Sequence, residues 1–337
     1  MRPLARTLLK GSFKQIRHVT AVPRAEAVGL VAEVYRQAHR EFGVLAPPLA
    51  LHSPAPEALA ASWLLLRETL LADGHTTRAA REAVAVEVSR ANECPYCVEV
   101  HQAKLDTLPD GRDTDTLTPF AEWARTSAEA TAADPPLPLD PAGTAELYGV
   151  AVTFHYLNRM VRLFLPPSPV PAAAPAAGRA PVMRMVARGM RPDSRTPVAA
   201  GASLGLLPAA PLPAALAWAE AAPTVAGALA RAVASADAAA EEHVPGAVRE
   251  RLHLALSLHR GAAPGPGRHW LGPATEGLAA EHLPTARLAL LVALAPYQIT
   301  EADLTGFRAV HPGDHELVRL TSWAALTAAV AIGSRFP

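Results

Sequence analysis

Apolar residues recur every three or four positions along most of the chain, which is the spacing expected of helices that bury one face. The clearest stripe comprises Leu59, Trp63, Leu66 and Leu70. Aromatic residues make up only 5% of the sequence, so strand signals are weak. The spacing predicts helices over 24–46, around the Leu59 stripe, from near Arg78 to near Asn92, in a short segment that opens at Cys94, over 117–130 and over 144–164. The pattern therefore predicts an all-α protein.

Proline breaks the helical pattern most strongly between Pro166 and Pro181, where prolines alternate mainly with alanine. Proline lacks a backbone N–H and fixes φ, so this segment is predicted to be a semi-stiff linker rather than a helix. A shorter break at Pro47-Pro48 predicts a loop. The predicted organisation is a basic arm over 1–23, a first domain over 24–165, a Pro/Ala-rich linker over 166–181 and a second domain over 182–337.

The second predicted domain repeats the pattern of the first. Arg81-Glu82 recurs as Arg249-Glu250 at an offset of 168 residues, and the apolar positions between 84 and 88 recur at the same offset. A shared offset of this kind indicates internal duplication. The two cysteines of the first domain have no counterpart in the second, where the corresponding residues are Ala262 and Gly265. We therefore predict two tandem helical domains, of which the second is degenerate and serves packing.

Composition excludes several classes of protein. The 31 basic and 31 acidic residues balance, which argues against nucleic acid as a partner because phosphates call for a basic excess. The chain has only two cysteines, so it is not a secreted disulfide scaffold. It lacks an apolar run of about 18 residues, and no transmembrane segment is expected.

Five basic residues near the N-terminus recur every three or four positions: Arg2, Arg6, Lys10, Lys14 and Arg17. No apolar stretch of about 7–15 residues follows them, as a secretory signal would require, and we expect a cytoplasmic protein. The spacing predicts a solvated basic helix face or a frayed arm. Binding to an anionic membrane surface or to a partner is the alternative.

The candidate chemistry lies in Cys94-Pro95-Tyr96-Cys97 and in His101, four residues beyond the second cysteine. A helix that opens near Cys94 places both sulfurs in its first turn, where the backbone amides and the helix dipole favour the reactive thiolate. Cys97 and His101 then share one face, and the imidazole can take the thiol proton directly or through one water. Glu82, on the preceding helix, could orient His101.

Zinc is the main chemical alternative at this site. Cys94, Cys97 and His101 supply three ligands, whereas a structural zinc site requires four, and the sequence lacks a second pair at similar spacing. The redox interpretation therefore has the better support.

The stretch from Arg81 to His101 resembles the alkylhydroperoxidase D / carboxymuconolactone decarboxylase superfamily. The redox branch of that superfamily has a glutamate twelve residues before the first cysteine, followed by Cys-x-x-Cys-x-x-x-His, and Glu82, Cys94, Cys97 and His101 are in this register. Asn158-Arg159 also resembles the Asn-Arg helix that closes the family's domain. The resemblance covers about residues 24–164 well and the remainder only as the degenerate repeat.

The resemblance implies an all-helical fold and a thiol-dependent peroxidase or disulfide oxidoreductase. It gives Cys97 the role of the peroxidatic thiolate, which attacks a hydroperoxide and becomes a sulfenic acid, and Cys94 that of the resolving thiol. It makes His101 and Glu82 a proton relay. A thiol or disulfide reductant would restore the pair, and no bound cofactor is implied. Some members have a histidine immediately before the second cysteine, where this chain has Tyr96.

Two other functions follow from the same sequence. The decarboxylase branch implies a non-redox lyase or isomerase, but that branch generally lacks the cysteine pair. The basic arm and the degenerate repeat suggest a non-catalytic interaction protein, against which the intact motif argues. In single-domain relatives a separate subunit supplies the apolar surface that we expect of the second domain. The sequence does not decide whether this chain also forms a homo-oligomer.

Three further polar residues are given structural roles. Glu87 is five residues beyond Glu82, hence on another helix face, and is predicted to be a solvated or interface carboxylate. His155 and Arg159 are four residues apart and are predicted to form a structural hydrogen bond or ion pair rather than to line a pocket.

Overall fold

The protein is described by a computed structural model that covers residues 12–129, 131, 134–135, 137–170, 181–184, 187–188, 197–259 and 261–337. Within these ranges the regular structure is helical and contains no strand, which confirms the predicted all-α class. The helices of the first half are α1 (Gly29–Glu41), α2 (Pro47–Ala50), α3 (Pro56–Leu66), α4 (Arg78–Ala91), α5 (Pro95–Leu105), α6 (Thr114–Thr126) and α7 (Pro141–Phe164).

The second half presents the same order of long helices. Its helices are α8 (Pro223–His243), α9 (Gly246–Leu258), α10 (Leu271–Thr275), α11 (Leu283–Leu294), α12 (Glu301–Val310) and α13 (Asp314–Gly333). Helices α4 and α9 begin 168 residues apart, at the offset found in the sequence. The tandem arrangement is therefore visible in the order of the helices.

The two halves share one hydrophobic core. Helix α3 packs on α8 and α7 packs on α13, so helices at equivalent positions of the two halves contact each other. Small residues permit this close approach: a Cβ added at Gly149 would lie 2.6 Å from Val225, and one added at Gly333 would lie 2.6 Å from Val152. The Tyr156 hydroxyl also lies 2.8 Å from Ser322 Oγ across this contact. The second half thus covers the face of α7 that turns away from α4.

A buried ion pair fixes the start of α4, which carries part of the candidate site. Arg81 Nη2 donates to Glu146 Oε2 at 2.8 Å, and the same carboxylate accepts the backbone N–H groups of His75 and Thr76 at 2.8 Å each. The Thr77 side chain caps the helix by accepting from Ala80. These contacts lock the loop before α4 onto α7.

Some predicted boundaries are wrong in detail. The helix expected over 24–46 is limited to α1, and the loop expected at Pro47-Pro48 is the first turn of the short helix α2. Proline is tolerated there because the first N–H groups of a helix have no intrahelical partner. After α3, a π-helix over Arg67–Leu71 continues the chain before the loop at Asp73.

The arm and the linker are described only in part. Residues 1–11 and 171–180 lie outside the described residues, so three of the five basic side chains and most of the predicted linker do so as well. Residues Ser12–Gln15 form one 3-10 turn, and the Arg17 guanidinium donates to the backbone oxygen of Leu165 at 2.5 Å. Ser168 Oγ donates to Glu99 Oε2 at 2.5 Å. The described part of the linker therefore lies against the first half, and the described part of the arm contacts both halves, since Thr20 N–H donates to Asp314 Oδ2 at 2.7 Å.

Helix α13 is long and apolar enough to cross a membrane by length and composition alone. However, 72% of its most apolar window is buried inside the protein. Burial of this extent is expected of a core helix, and within the part of the chain that the structure describes no other helix meets the same criterion.

Candidate active site

The chain turns sharply between α4 and α5, and this turn presents the first cysteine. Glu93 has a left-handed φ of 49°, and the backbone N–H groups of Glu93 and Cys94 donate to the carbonyls of Arg90 and Ser89. This pattern is a Schellman motif, which usually has glycine at the left-handed position. Arg162 on α7 donates to the Glu93 carbonyl and supports the turn. Cys94 becomes the N-cap residue of α5 as a result.

The two sulfur atoms form a close, buried pair. Cys94 Sγ and Cys97 Sγ lie 2.8 Å apart, the residues are 1% and 4% exposed, and both cysteines are free. The separation is shorter than a van der Waals contact and longer than a disulfide bond, which is about 2.05 Å. The two sulfurs are therefore close enough to form a disulfide with a small movement.

The environment distinguishes the two thiols. Burial raises the pKa of Cys94, but the nearby Cys97 thiol and Cys97 backbone amide, together with the charge of Arg162, outweigh it and lower that pKa. The Cys94 side chain accepts no hydrogen bond of standard cap geometry. The Cys97 backbone amide therefore acts on the Cys94 sulfur mainly as a nearby dipole. Burial and the neighbouring Cys94 sulfur raise the pKa of Cys97 well above its ordinary value. The first negative charge of the pair therefore lies on Cys94.

An amide network on α7 and α4 supports the thiols. Asn158 lowers the pKa of both Cys94 and Cys97 by hydrogen bonding. Its Nδ2 also donates to Ser89 Oγ at 3.0 Å, and its Oδ1 accepts from Asn92 Nδ2 at 2.9 Å. The orientation of the Asn158 amide is thus fixed, with its N–H groups toward the sulfurs.

Glu82 and His101 are in direct contact, as the sequence predicts. His101 Nδ1 lies 2.7 Å from Glu82 Oε2, and the edge of the imidazole packs on Phe154 at 4.6 Å between ring centroids. Arg78 donates to Glu82 Oε1 at 2.9 and 2.5 Å. Burial raises the pKa of Glu82, but the charges of Arg78 and His101 and their hydrogen bonds prevail and lower it to about 2. Glu82 is therefore ionised at neutral pH and holds the imidazole.

Within the described part of the chain, no hydrogen bond joins the Glu82–His101 pair to the cysteine pair. Among the described residues, the hydrogen bonds of His101 lead to Glu82, and none joins the imidazole to Cys94 or Cys97. No group of three or more His, Cys, Asp or Glu side chains in the described ranges could hold a metal ion.

The sequence singled out the four residues of the candidate site but not most of the side chains that contact them. Arg78, four residues before Glu82 on the same helix, could have been found from the i, i+4 spacing of opposite charges. In the sequence, Asn158 is singled out only through the resemblance of Asn158-Arg159 to the family's closing helix. Nothing in its spacing along the sequence relates it to the thiols. Arg162 was not singled out, because its role depends on the turn at Glu93.

All three residues given structural roles make structural contacts, but Glu87 is buried rather than solvated. Glu87 is buried and pairs with Arg90 and Arg125 at 3.0 Å each. His155 is fully buried, and its Nε2 lies 3.0 Å from Ser127 Oγ. Arg159 Nη1 donates to the His155 backbone carbonyl at 2.6 Å. Arg159 also lines a cleft, the alternative that the sequence did not favour.

This cleft, of about 580 Å³, lies between the two halves beside the cysteines. One wall comes from the first half and contains Asn92, Glu93 and Asn158, which flank or contact Cys94. The opposite wall comes from the second half, from the segment that follows α9 and from the end of α11. We call it the inter-half cleft.

Comparison with known proteins agrees with the geometry. The model of the carboxymuconolactone decarboxylase family matches residues 57–106, which contain Glu82, Cys94, Cys97 and His101. Alkyl hydroperoxide reductase Rv2159c of Mycobacterium tuberculosis is 36% identical over 342 residues, which cover 96% of this chain and 95% of that protein. The resemblance found in the sequence is thereby confirmed, and the chain belongs to the carboxymuconolactone decarboxylase family, as an alkylhydroperoxidase D-like member.

Proposed function

We propose that the chain is a thiol-dependent peroxidase that reduces a hydroperoxide through Cys94 and Cys97. The observation that carries the proposal is the 2.8 Å separation of two free, buried sulfurs at a helix N-terminus. Such a pair closes to a disulfide with little movement. The name of the Mycobacterium tuberculosis relative, an alkyl hydroperoxide reductase, supports the same type of reaction.

The proposed cycle has three balanced steps. The Cys97 thiolate attacks the outer peroxide oxygen, the O–O bond breaks, and the products are a sulfenic acid and, after protonation, an alcohol. The Cys94 sulfur then attacks the Cys97 sulfur, a disulfide forms, and the sulfenic oxygen leaves as water. An external dithiol reduces the disulfide by exchange and becomes a disulfide itself.

The assignment of attack to Cys97 follows the family resemblance and requires a proton shift. The first charge of the pair lies on Cys94, and across 2.8 Å the Cys97 proton can move to that sulfur. His101, held by Glu82, takes up through one water the proton that the thiol pair releases. It then returns this proton to the departing alkoxide. This relay accounts for a buried carboxylate whose only described partners are Arg78 and His101.

The test is mass spectrometry of the Cys94–Cys97 peptide after one equivalent of hydroperoxide. The wild-type protein should lose two hydrogens as the disulfide forms, C94S should retain a sulfenic acid on Cys97, and C97S should lose turnover. A sulfenic acid found only on Cys94, in C97S, would reverse the two roles. Full turnover in both variants would refute the dithiol mechanism.

A further inference from the structure

The inter-half cleft contains a cation that has no acidic partner. Arg159 on α7 lines the cleft and donates through Nε to the Ala293 carbonyl at 2.9 Å and through Nη1 to the His155 carbonyl at 2.6 Å. Nη2 donates to none of the described residues, and among them no carboxylate pairs with Arg159. Burial alone lowers the pKa of this guanidinium to about 10, so it stays charged at neutral pH.

The charges around Arg159 are mainly positive. Arg162 also lines the cleft, where it donates to the carbonyls of Asn92 and Glu93 and pairs with the Glu93 carboxylate at 3.5 Å. Burial lowers the pKa of His259 on the opposite wall, and the charge of Arg159 lowers it further. The two acidic side chains of the cleft, Glu93 and Glu129, are exposed. A positive interior with acidic groups confined to exposed positions favours an anion inside.

The remaining lining is mainly apolar and includes Leu294, Pro296 and Ile332. A partly buried guanidinium with open donors is suited to a carboxylate, because charged hydrogen bonds of this kind are strong and directional. We propose that the inter-half cleft binds an organic hydroperoxide that carries a carboxylate, with the carboxylate on Arg159 and the apolar body along the walls. The volume of about 580 Å³ is within the usual range for small-molecule sites.

The position of the cleft connects this site with the thiols. Asn158 is the residue before Arg159, lines the cleft and hydrogen-bonds to the cysteines. A molecule held by Arg159 therefore lies next to the amide that borders the sulfurs. The assignment of a hydroperoxide as the bound molecule rests on the proposed function, whereas the binding of a carboxylate does not.

Binding is tested first, with an unreactive probe. Titration calorimetry of the full-length protein with 4-isopropylbenzoate should give saturable binding, and R159M should weaken it at least tenfold, as expected for the loss of a charge-assisted hydrogen bond. R159K should recover part of the affinity. R90M is the matched control, because Arg90 is half exposed, pairs with Glu87 and does not line the cleft.

A second variant guards against misfolding of R159M, since Arg159 also bonds to two backbone carbonyls. A263W places a bulky side chain in the cleft from an exposed position on the wall of the second half. It should abolish binding while the circular dichroism spectrum and thermal midpoint stay those of the wild type. Unchanged affinity in both R159M and A263W, or no saturable binding to the wild type, would overturn the proposal.

Turnover then tests the substrate class. Oxidation of the reduced pair by cumene hydroperoxide and by its para-carboxylate is compared in single-turnover experiments without any reductant. The wild-type protein should react at least tenfold faster with the carboxylate at subsaturating concentration, and R159M should lose the preference. Equal rates in the wild type would overturn the proposal. Binding of the probe without oxidation by either peroxide would leave the carboxylate site intact and refute the proposed peroxidase function.

Discussion

Replacing Glu82 by glutamine tests whether this carboxylate is held ionised inside the protein. Glu82 is fully buried and bonds to Arg78 and His101. Glutamine has nearly the same shape and approximates the protonated acid. E82Q therefore removes the charge and leaves the packing in place, so the difference from the wild type measures the stabilisation of the ionised form.

The expected magnitude follows from the pKa of Glu82, which falls from an ordinary 4.5 to about 2. At about 1.4 kcal/mol per pH unit, the ionised form contributes ~3 kcal/mol to the free energy of unfolding at pH 7. Because the folded pKa is depressed, this contribution is complete above the unfolded pKa and is lost as the pH falls from 4.5 towards 2. E82Q should be less stable by ~3 kcal/mol at pH 7 and by about half of that at pH 3.

The assay is urea unfolding of wild type and E82Q at several values of pH between 3 and 7, with the difference in unfolding free energy plotted against pH. E87Q is the control, because Glu87 is on the same helix and pairs with two half-exposed arginines but does not contact His101. A difference that stays constant across this pH range, or one below about 1 kcal/mol at pH 7, would refute the reasoning. Peroxide turnover should fall in E82Q and persist in E87Q.

Three further substitutions test the scaffold around the site by urea unfolding at pH 7. T77A removes the cap of α4 and should cost about 1 kcal/mol; no change would mean that the hydrogen bond to Ala80 does not hold the helix start. R81M strands the buried Glu146 carboxylate and should cost about 3–5 kcal/mol, whereas a neutral result would contradict the role of this pair. G149L drives a side chain into α8 and should cost about 1–3 kcal/mol or more; an unchanged midpoint would show that the two halves pack less closely there.

Local signals in the sequence account for the elements that were predicted well. The start of α4 is marked by Thr77, whose side chain favours the cap position, and observed and predicted starts coincide at Arg78. Cys94 and Pro95 mark the next start, because proline suits the first helical turn. The sequence placed Glu82 on the helix before His101, and the short turn between α4 and α5 brings the two side chains into contact.

Features that depend on distant segments could not be predicted. Asn158 is more than 60 residues from the thiols in the chain, and only the packing of α7 on α4 brings its amide to them. The inter-half cleft has walls from both halves, so no window of sequence contains it. The order of the two thiol pKa values could not be predicted either, because two signals disagree. The N-cap position of Cys94 favours a negative charge on that sulfur, whereas the family resemblance assigns the attack to Cys97.

The degenerate second half acquires a specific meaning from the inter-half cleft. By the repeat offset, Ala262 and Gly265 correspond to Cys94 and Cys97. In the first half the motif opens the eleven-residue helix α5, whereas the equivalent part of the second half has only the five-residue helix α10. Ala263 and Gly265 line the cleft wall opposite the turn that carries Cys94. The part of the second half that corresponds to the cysteine motif thus forms a wall of the cleft, while α8 and α13 supply the apolar packing of the shared core.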